Sequence, residues 1–151
     1  MTLNSLYLQT DGRIGREAFW LGLGGLLFVG MVVWLVLNTA FGMATFMGRL
    51  LMLAMQLILA YPAFALFGKR FQDRDKPAVL GLILILLGLA INFVGLAGAT
   101  GDPIYPNLLG WILRAIDLIV ALWFLIELGI LRGTIGPNQY GSDPIGTGEP
   151  D

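Results

Sequence analysis

Cysteine and histidine are both absent from the 151 residues. Without cysteine there are no disulfides, thiolate nucleophiles or thiolate metal ligands, and without histidine the commonest general base and zinc ligand is missing. Charge is scarce too, at 13% of residues, against about 25% in an average soluble domain. Nine basic and ten acidic residues nearly cancel, so no basic excess points to nucleic acid. No metal, cofactor or nucleic-acid partner is expected. Carboxylates and tyrosines are the main groups left for catalysis, and no nucleophile elbow or metalloprotease pattern accompanies them. An enzyme is therefore not expected.

What the chain has in abundance is apolar sequence, 57% of residues. The charge-free run from Phe19 to Leu37, at about 1.5 Å per residue, matches the ~30 Å hydrocarbon core of a bilayer. Further runs cover about 50–67, 78–100 and 108–131. These runs carry no polar stripe for water, which argues against a soluble bundle. The segment Gly101-Asp102-Pro103-Ile104-Tyr105-Pro106-Asn107 is rich in turn formers and separates the last two spans. Pro62 removes a bond to the Ile58 carbonyl and is expected to kink the second. The fold class is thus an all-α integral membrane four-helix bundle with short loops. Residues 1–18 form an amphipathic lead-in, 19–132 the transmembrane domain and 133–151 a Gly/Pro-rich tail whose last residues should have little fixed structure.

Orientation follows from the loop cations, which gather on the cytoplasmic side. Arg13, Arg16, Lys69, Arg70, Arg74, Lys76 and Arg132 fall on one side, and only Arg49 on the other. Both termini should therefore be cytoplasmic.

Before the first span, Arg13 lies near Arg16 and Glu17 by helical spacing, with Trp20 one turn on. One reading is an interfacial collar in which arginines hold anionic lipid headgroups and Trp20 sits at headgroup level. The other is that these arginines pair with acidic residues of another cytoplasmic segment, Asp73 and Asp143 above all.

Three separated motifs resemble the bacterial inner-membrane family called domain of unknown function 805. The family's G-R-x-x-R-x-x-F-W stands here as Gly12, Arg13, Arg16, Phe19 and Trp20. Its R-R-L-H-D becomes Lys69-Arg70-Phe71-Gln72-Asp73, with Gln72 in place of histidine, so no titrating imidazole carries over. Its N-x-Y-G-x-D-P is present as Asn138, Tyr140, Gly141, Asp143 and Pro144. The resemblance implies a bacterial inner-membrane location and no established biochemical activity. By the topology above all three motifs share the cytoplasmic face. The expectation is a polar cluster in which Arg13, Arg16 and Arg70 are neutralised by Asp73, Asp143 and Glu17, while Asn138 and Tyr140 fix the tail by hydrogen bonds.

A second polar set lies within the spans. Arg114 and Asp117, three residues apart, are placed to pair on one helix face. Measured from the outer ends, Gln56 lies about 9 Å deep, Asn92 about 12 Å, and Arg114 to Asp117 about 9–14 Å. This shared layer reads as polar glue between helices or as the wall of a cavity open to the outer side. Glu127, nearer the cytoplasmic end, is expected to reach Arg132 or Arg70, or to act as a lower proton station. Gly81, Gly88 and Gly95 form a stripe for close helix approach, and Ala18 and Gly22 another. Packing within the chain, a homo-oligomer or a membrane-protein partner would each use them.

Function follows as an expectation: a noncatalytic membrane protein with a structural, lipid-binding or partner-binding role through its polar collar. The alternative is a small oligomeric transporter or channel using Gln56, Asn92, Arg114, Asp117 and Glu127.

Overall fold

The computed structural model describes residues 2–42, 44–102 and 104–146. The chain is all-helical, with no strands among the described residues and only two isolated bridges. A short α1 (Leu3–Tyr7) precedes α2 (Arg16–Phe41) and α3 (Phe46–Asp73). Then α4 opens with a 3-10 turn, Ala78–Gly81, and runs on as Leu82–Leu96. Finally α5 (Leu108–Phe124) ends in a π-helical turn, Leu125–Ile130. The last four, with these added turns, are long and apolar enough to cross a membrane.

Local chemistry sets the boundaries. Gly42, at φ 71°, stops α2 and closes its N–H on the Asn38 carbonyl, a positive φ that costs glycine little. Thr45 and Asn107 cap α3 and α5 by accepting hydrogen bonds from Gly48 and Gly110, which occupies amides a helix start leaves free. Two expected bounds are corrected. The helix of the second span does not stop near Phe67: it continues without interruption through Pro62 to Asp73, so Lys69, Arg70 and Asp73 stand on its final turns and not in a loop. The third helix stops at Leu96, short of residue 100, where Gly98 at φ 79° turns back onto the Gly95 carbonyl. Hydropathy continues past that point, but backbone geometry does not.

The lead-in is more ordered than its composition implies. A Thr2–Ser5 capping box starts α1, Leu6 is buried, and the Tyr7 hydroxyl donates to the Gly22 carbonyl at 2.9 Å. The expectation of a loosely held tail end falls on residues 147–151, outside the described residues.

The core is asymmetric. Its buried members, Leu6, Ile14, Phe19, Leu66, Phe67, Phe71, Ile85, Phe124 and Leu128, gather where α3 ends. Phe124 meets Phe67 and Phe71 edge-on at ring separations of 5.5 Å each, a favoured aromatic geometry. Elsewhere the apolar sides of α2 to α5 face outward, as lipid-facing surfaces do.

The glycine stripe on α4 faces α3. Added methyls at Gly81 and Gly88 would press on Phe67 and Gln56 respectively, and the Gly95 carbonyl accepts from Arg49. Gly22 lies against Leu6 and Leu66. These small residues therefore pack the chain against itself.

Candidate functional site

The end of α3 carries the most concentrated polar structure in the molecule. Arg70 has no exposed surface, and the side chains of Arg13 and Asp73 are 1% and 3% exposed. Asp73 binds both guanidiniums: Arg13 Nε donates to Oδ1 at 3.1 Å and Arg70 Nη1 to Oδ2. One carboxylate thus serves two buried cations, and backbone carbonyls satisfy the rest of their donors. Arg13 donates to the carbonyls of Thr134 (2.7 Å), Gly136 (2.7 Å) and Gly141 (3.1 Å). Arg70 donates to Leu128 (2.6 Å), Leu131 (2.6 Å) and Ile14 (3.4 Å). Each guanidinium uses four of its five N–H donors.

The tail is laid across the end of α3, where a helix leaves carbonyls without partners. Thr134 gives its N–H (2.8 Å) and hydroxyl (3.0 Å) to the Asp73 carbonyl. Asn138 Nδ2 donates to the Gln72 carbonyl at 2.9 Å and to Thr134 Oγ1 at 2.8 Å. A methyl on Gly133 would overlap the Asp73 carboxylate, so the chain passes closer there than any side chain permits. The lead-in joins from the other side. With its amide turned so that nitrogen faces the carbonyls, Gln72 donates to Gly12 at 2.7 Å and Thr10 at 3.2 Å, two bonds that require no imidazole. Lys69 donates to the last carbonyls of α1, Ser5 and Leu6. Lead-in and tail therefore meet at one end of the bundle, and the arrangement is a clasp.

A second centre repeats the pattern of two cations on one carboxylate. Glu127, buried in the π-helical turn, takes Arg74 Nε at 2.8 Å and Lys76. This corrects the expectation that it reaches Arg132 or Arg70: the wider π turn aims it at the α3–α4 loop. Glu127 consequently belongs to the clasp end, where the sequence places it. The same turn explains Trp20, whose Nε1 donates to the Gly129 carbonyl at 3.1 Å with the ring against Gly129. The indole latches α2 to α5 while 46% of Trp20 stays exposed. The π turn has no side-chain signature, so sequence reasoning missed it; π turns concentrate at functional sites.

Four other expectations are revised. Asp143 enters no ion pair among the described residues. It accepts instead from the backbone N–H groups of Ile145 (3.0 Å) and Gly136 (3.0 Å), and these bonds hold its carboxyl below the usual carboxylate range. Arg16 donates to the Ile130 carbonyl at 3.3 Å and meets no carboxylate among the described residues. Glu17 likewise enters no ion pair among them. Tyr140 contributes its backbone N–H to Asn138 Oδ1 at 2.9 Å, and its hydroxyl has no hydrogen bond among the described residues.

At the opposite end, Asn92 Nδ2 donates to Gln56 Oε1 at 2.7 Å and to the Gly88 carbonyl at 3.0 Å. This joins α3 to α4 as the shared layer implied. Arg114 and Asp117 do not pair with each other; the Arg114 guanidinium lies 5.7 Å from the centre of the Trp111 ring. Asp117 lines a cavity of about 310 Å³ with Gln56 and Asn92. Arg114 lines an adjoining cavity of about 250 Å³ with Arg49, Asn92 and Thr100. No group of three or more potential metal ligands occurs among the described residues.

The family described as "Protein of unknown function (DUF805)" matches residues 7–142, a range holding all three clasp motifs except Asp143 and Pro144. The uncharacterized protein YiiR of Escherichia coli strain K12 is 31% identical over 149 residues, covering 95% of this chain and 90% of that protein. The protein of the same name in Escherichia coli O157:H7 matches to the same extent. No solved structure matches.

Proposed function

This chain belongs to the DUF805 family, and from that premise we propose that it is a noncatalytic protein of the bacterial inner membrane whose clasp, on the cytoplasmic face, is a structural platform for anionic lipid headgroups or a partner protein. The observation that carries this reading is the Arg13–Asp73–Arg70 centre. Its charges are buried and its donors largely consumed by the chain's own carbonyls, leaving no accessible reactive group there. A centre built this way holds segments together. It does not turn over a substrate.

Binding then belongs to the rim. Arg16 and Arg132 are exposed, and Arg16 opens α2, whose N-cap, Gly15, makes no side-chain cap bond. Free amides at a helix start together with a guanidinium suit a phosphate. The cytoplasmic placement rests on the cation bias of the loops, and the juxtamembrane cations favour the negatively charged inner leaflet.

The test is lipid retention by detergent-solubilised protein. Phosphatidylglycerol should be retained over phosphatidylcholine, and the double variant Arg16→Gln/Arg132→Gln should lose most of that preference. Equal retention of the two lipids by the unaltered protein would overturn the headgroup role.

A further inference from the structure

We propose that the cavity at the opposite end of the bundle is a second, independent binding site for a phosphate group, whether in a phospholipid headgroup or free. It goes beyond the clasp reading and shares no residue with it. The lining includes Arg49 at the start of α3, Asn92 and Gly95 on α4, Thr100 in the following loop and Arg114 on α5. Two arginines thus line one space of about 250 Å³, and no carboxylate is among its described lining residues. Of the acids close in sequence to these lining residues, Asp102 accepts from the Ile104 N–H and Asp117 lines the adjoining cavity.

Arg49 is held ready for a ligand. Its Nη1 donates to the Gly95 carbonyl at 2.9 Å, which fixes the guanidinium against α4. Its Nε–H is buried and meets no acceptor among the described residues. A buried donor without an acceptor is costly, and a small turn of the side chain toward the cavity would let an oxyanion satisfy it. Position strengthens the case, because Arg49 lies in the first turn of α3, where the helix dipole already presents positive charge. A cation is disfavoured there in isolation and is stabilised when an anion sits beside it. Thr100 and Asn92 add neutral polar groups of the kind that bind phosphate oxygens.

The depth suits a lipid. Trp111 and Tyr105 are exposed at this end, as aromatics are at the level of membrane headgroups. A phospholipid could place its phosphate between Arg49 and Arg114 with its chains along the outward apolar faces of the bundle. A free phosphate would use the same donors. The shared chemistry is two guanidiniums on one phosphate.

The experiment uses the full chain in a maltoside detergent, which contains no phosphate, and follows the Arg49 Nε–H resonance by ¹⁵N NMR, assigned through its loss in Arg49→Gln. The probes are dihexanoyl-phosphatidylglycerol and inorganic phosphate, each against sodium chloride of equal ionic strength. At least one probe should shift the resonance saturably, and Arg114→Gln should weaken that probe by about tenfold or more, the expected loss of a charge-assisted contact. Arg114→Lys should recover part of the affinity. Response to the phospholipid alone identifies a headgroup; response to phosphate alone identifies a free anion; with both, the lower midpoint identifies the preferred source. Arg114 is on an exposed surface, so its variants are expected to fold, and a native amide spectrum verifies this. No saturable shift with either probe, a shift matched by chloride, or an unchanged midpoint in folded Arg114→Gln would each overturn the site. Arg16→Gln, at the clasp end, should leave the Arg49 response unaltered, so the two proposals fail separately.

Discussion

Arg70 and Arg49 stand on the same helix, near opposite ends of it, and their surroundings differ in kind. Arg70 is fully buried, shares Asp73 with Arg13 and caps the carbonyls of Leu128 and Leu131. Arg49 is partly buried, makes a bond to Gly95, and has an Nε–H that meets no acceptor among the described residues. A cation whose donors are consumed by its own chain specifies how segments meet, whereas a positioned cation with capacity to spare is able to receive something else. Charge inside a membrane protein is by default a functional signal, and here the default has to be applied to each end separately.

Removing the carboxylate of Asp73 should have the largest effect. Asp73→Asn preserves volume but leaves Arg13 and Arg70 buried without a counterion, and breaking a buried pair from one side typically costs about 3–5 kcal/mol. Denaturation in mild detergent should show the loss, together with faster proteolysis of the tail beyond Gly133. A variant as stable as the original, with its tail equally protected, would mean that the centre is not a clasp.

At the other end, Asn92→Ala removes the bond to Gln56. The expected cost is about 0.6 kcal/mol, as for a typical interhelical polar contact in a membrane protein. The same unfolding assay measures it. A loss as large as that for Asp73→Asn would erase the contrast, since the outer layer would then be as structural as the clasp.

How far the sequence revealed these two ends depends on which atoms do the bonding. The four spans were legible because uninterrupted apolar runs have few alternatives in water. The meeting of the three motifs was legible because even spans return to one side. Arg13–Asp73 and Arg70–Asp73 followed from opposite charges on segments brought together. The further partners of Arg13 and Arg70 did not, because they are backbone carbonyls, which every residue carries and no side-chain pattern marks. For the same reason Arg16 and Asp143 were assigned ionic partners although they bond main-chain groups. Glu127 pairs with Arg74 and Lys76 in place of Arg132 or Arg70 because a π turn changes the direction of its side chain without changing residue type. The helical extension to Asp73 was hidden by its charges, which resemble a loop in hydropathy although the residues are good helix formers. Arg49 entered the sequence reading only as the odd cation in a topology count, and its relation to Arg114 required the folded cavity.

The smallest expected effect concerns the half-buried Asp143, and it tests how the clasp closes over the tail. The backbone N–H groups of Ile145 and Gly136 bond the ionised carboxylate, so its folded pKa lies below the value of the unfolded chain. The sign follows from linkage: a depressed carboxyl contributes stability that is fully present above the unfolded value, near 3.9 for aspartate, and is lost as pH falls through the folded value. Tail closure should therefore be insensitive to this group at neutral pH and weaken only in acid. The amide resonances of Gly136 and Ile145, followed by NMR from pH 7 downward, should inflect together below the ordinary aspartate range, and Asp143→Asn should abolish that shared inflection. An inflection at or above the ordinary value would show that the two amides do not hold the ionised carboxylate in solution. The tail would then be tied down chiefly by Arg13, Thr134 and Asn138, and the difference between the two ends would rest still more heavily on Asp73.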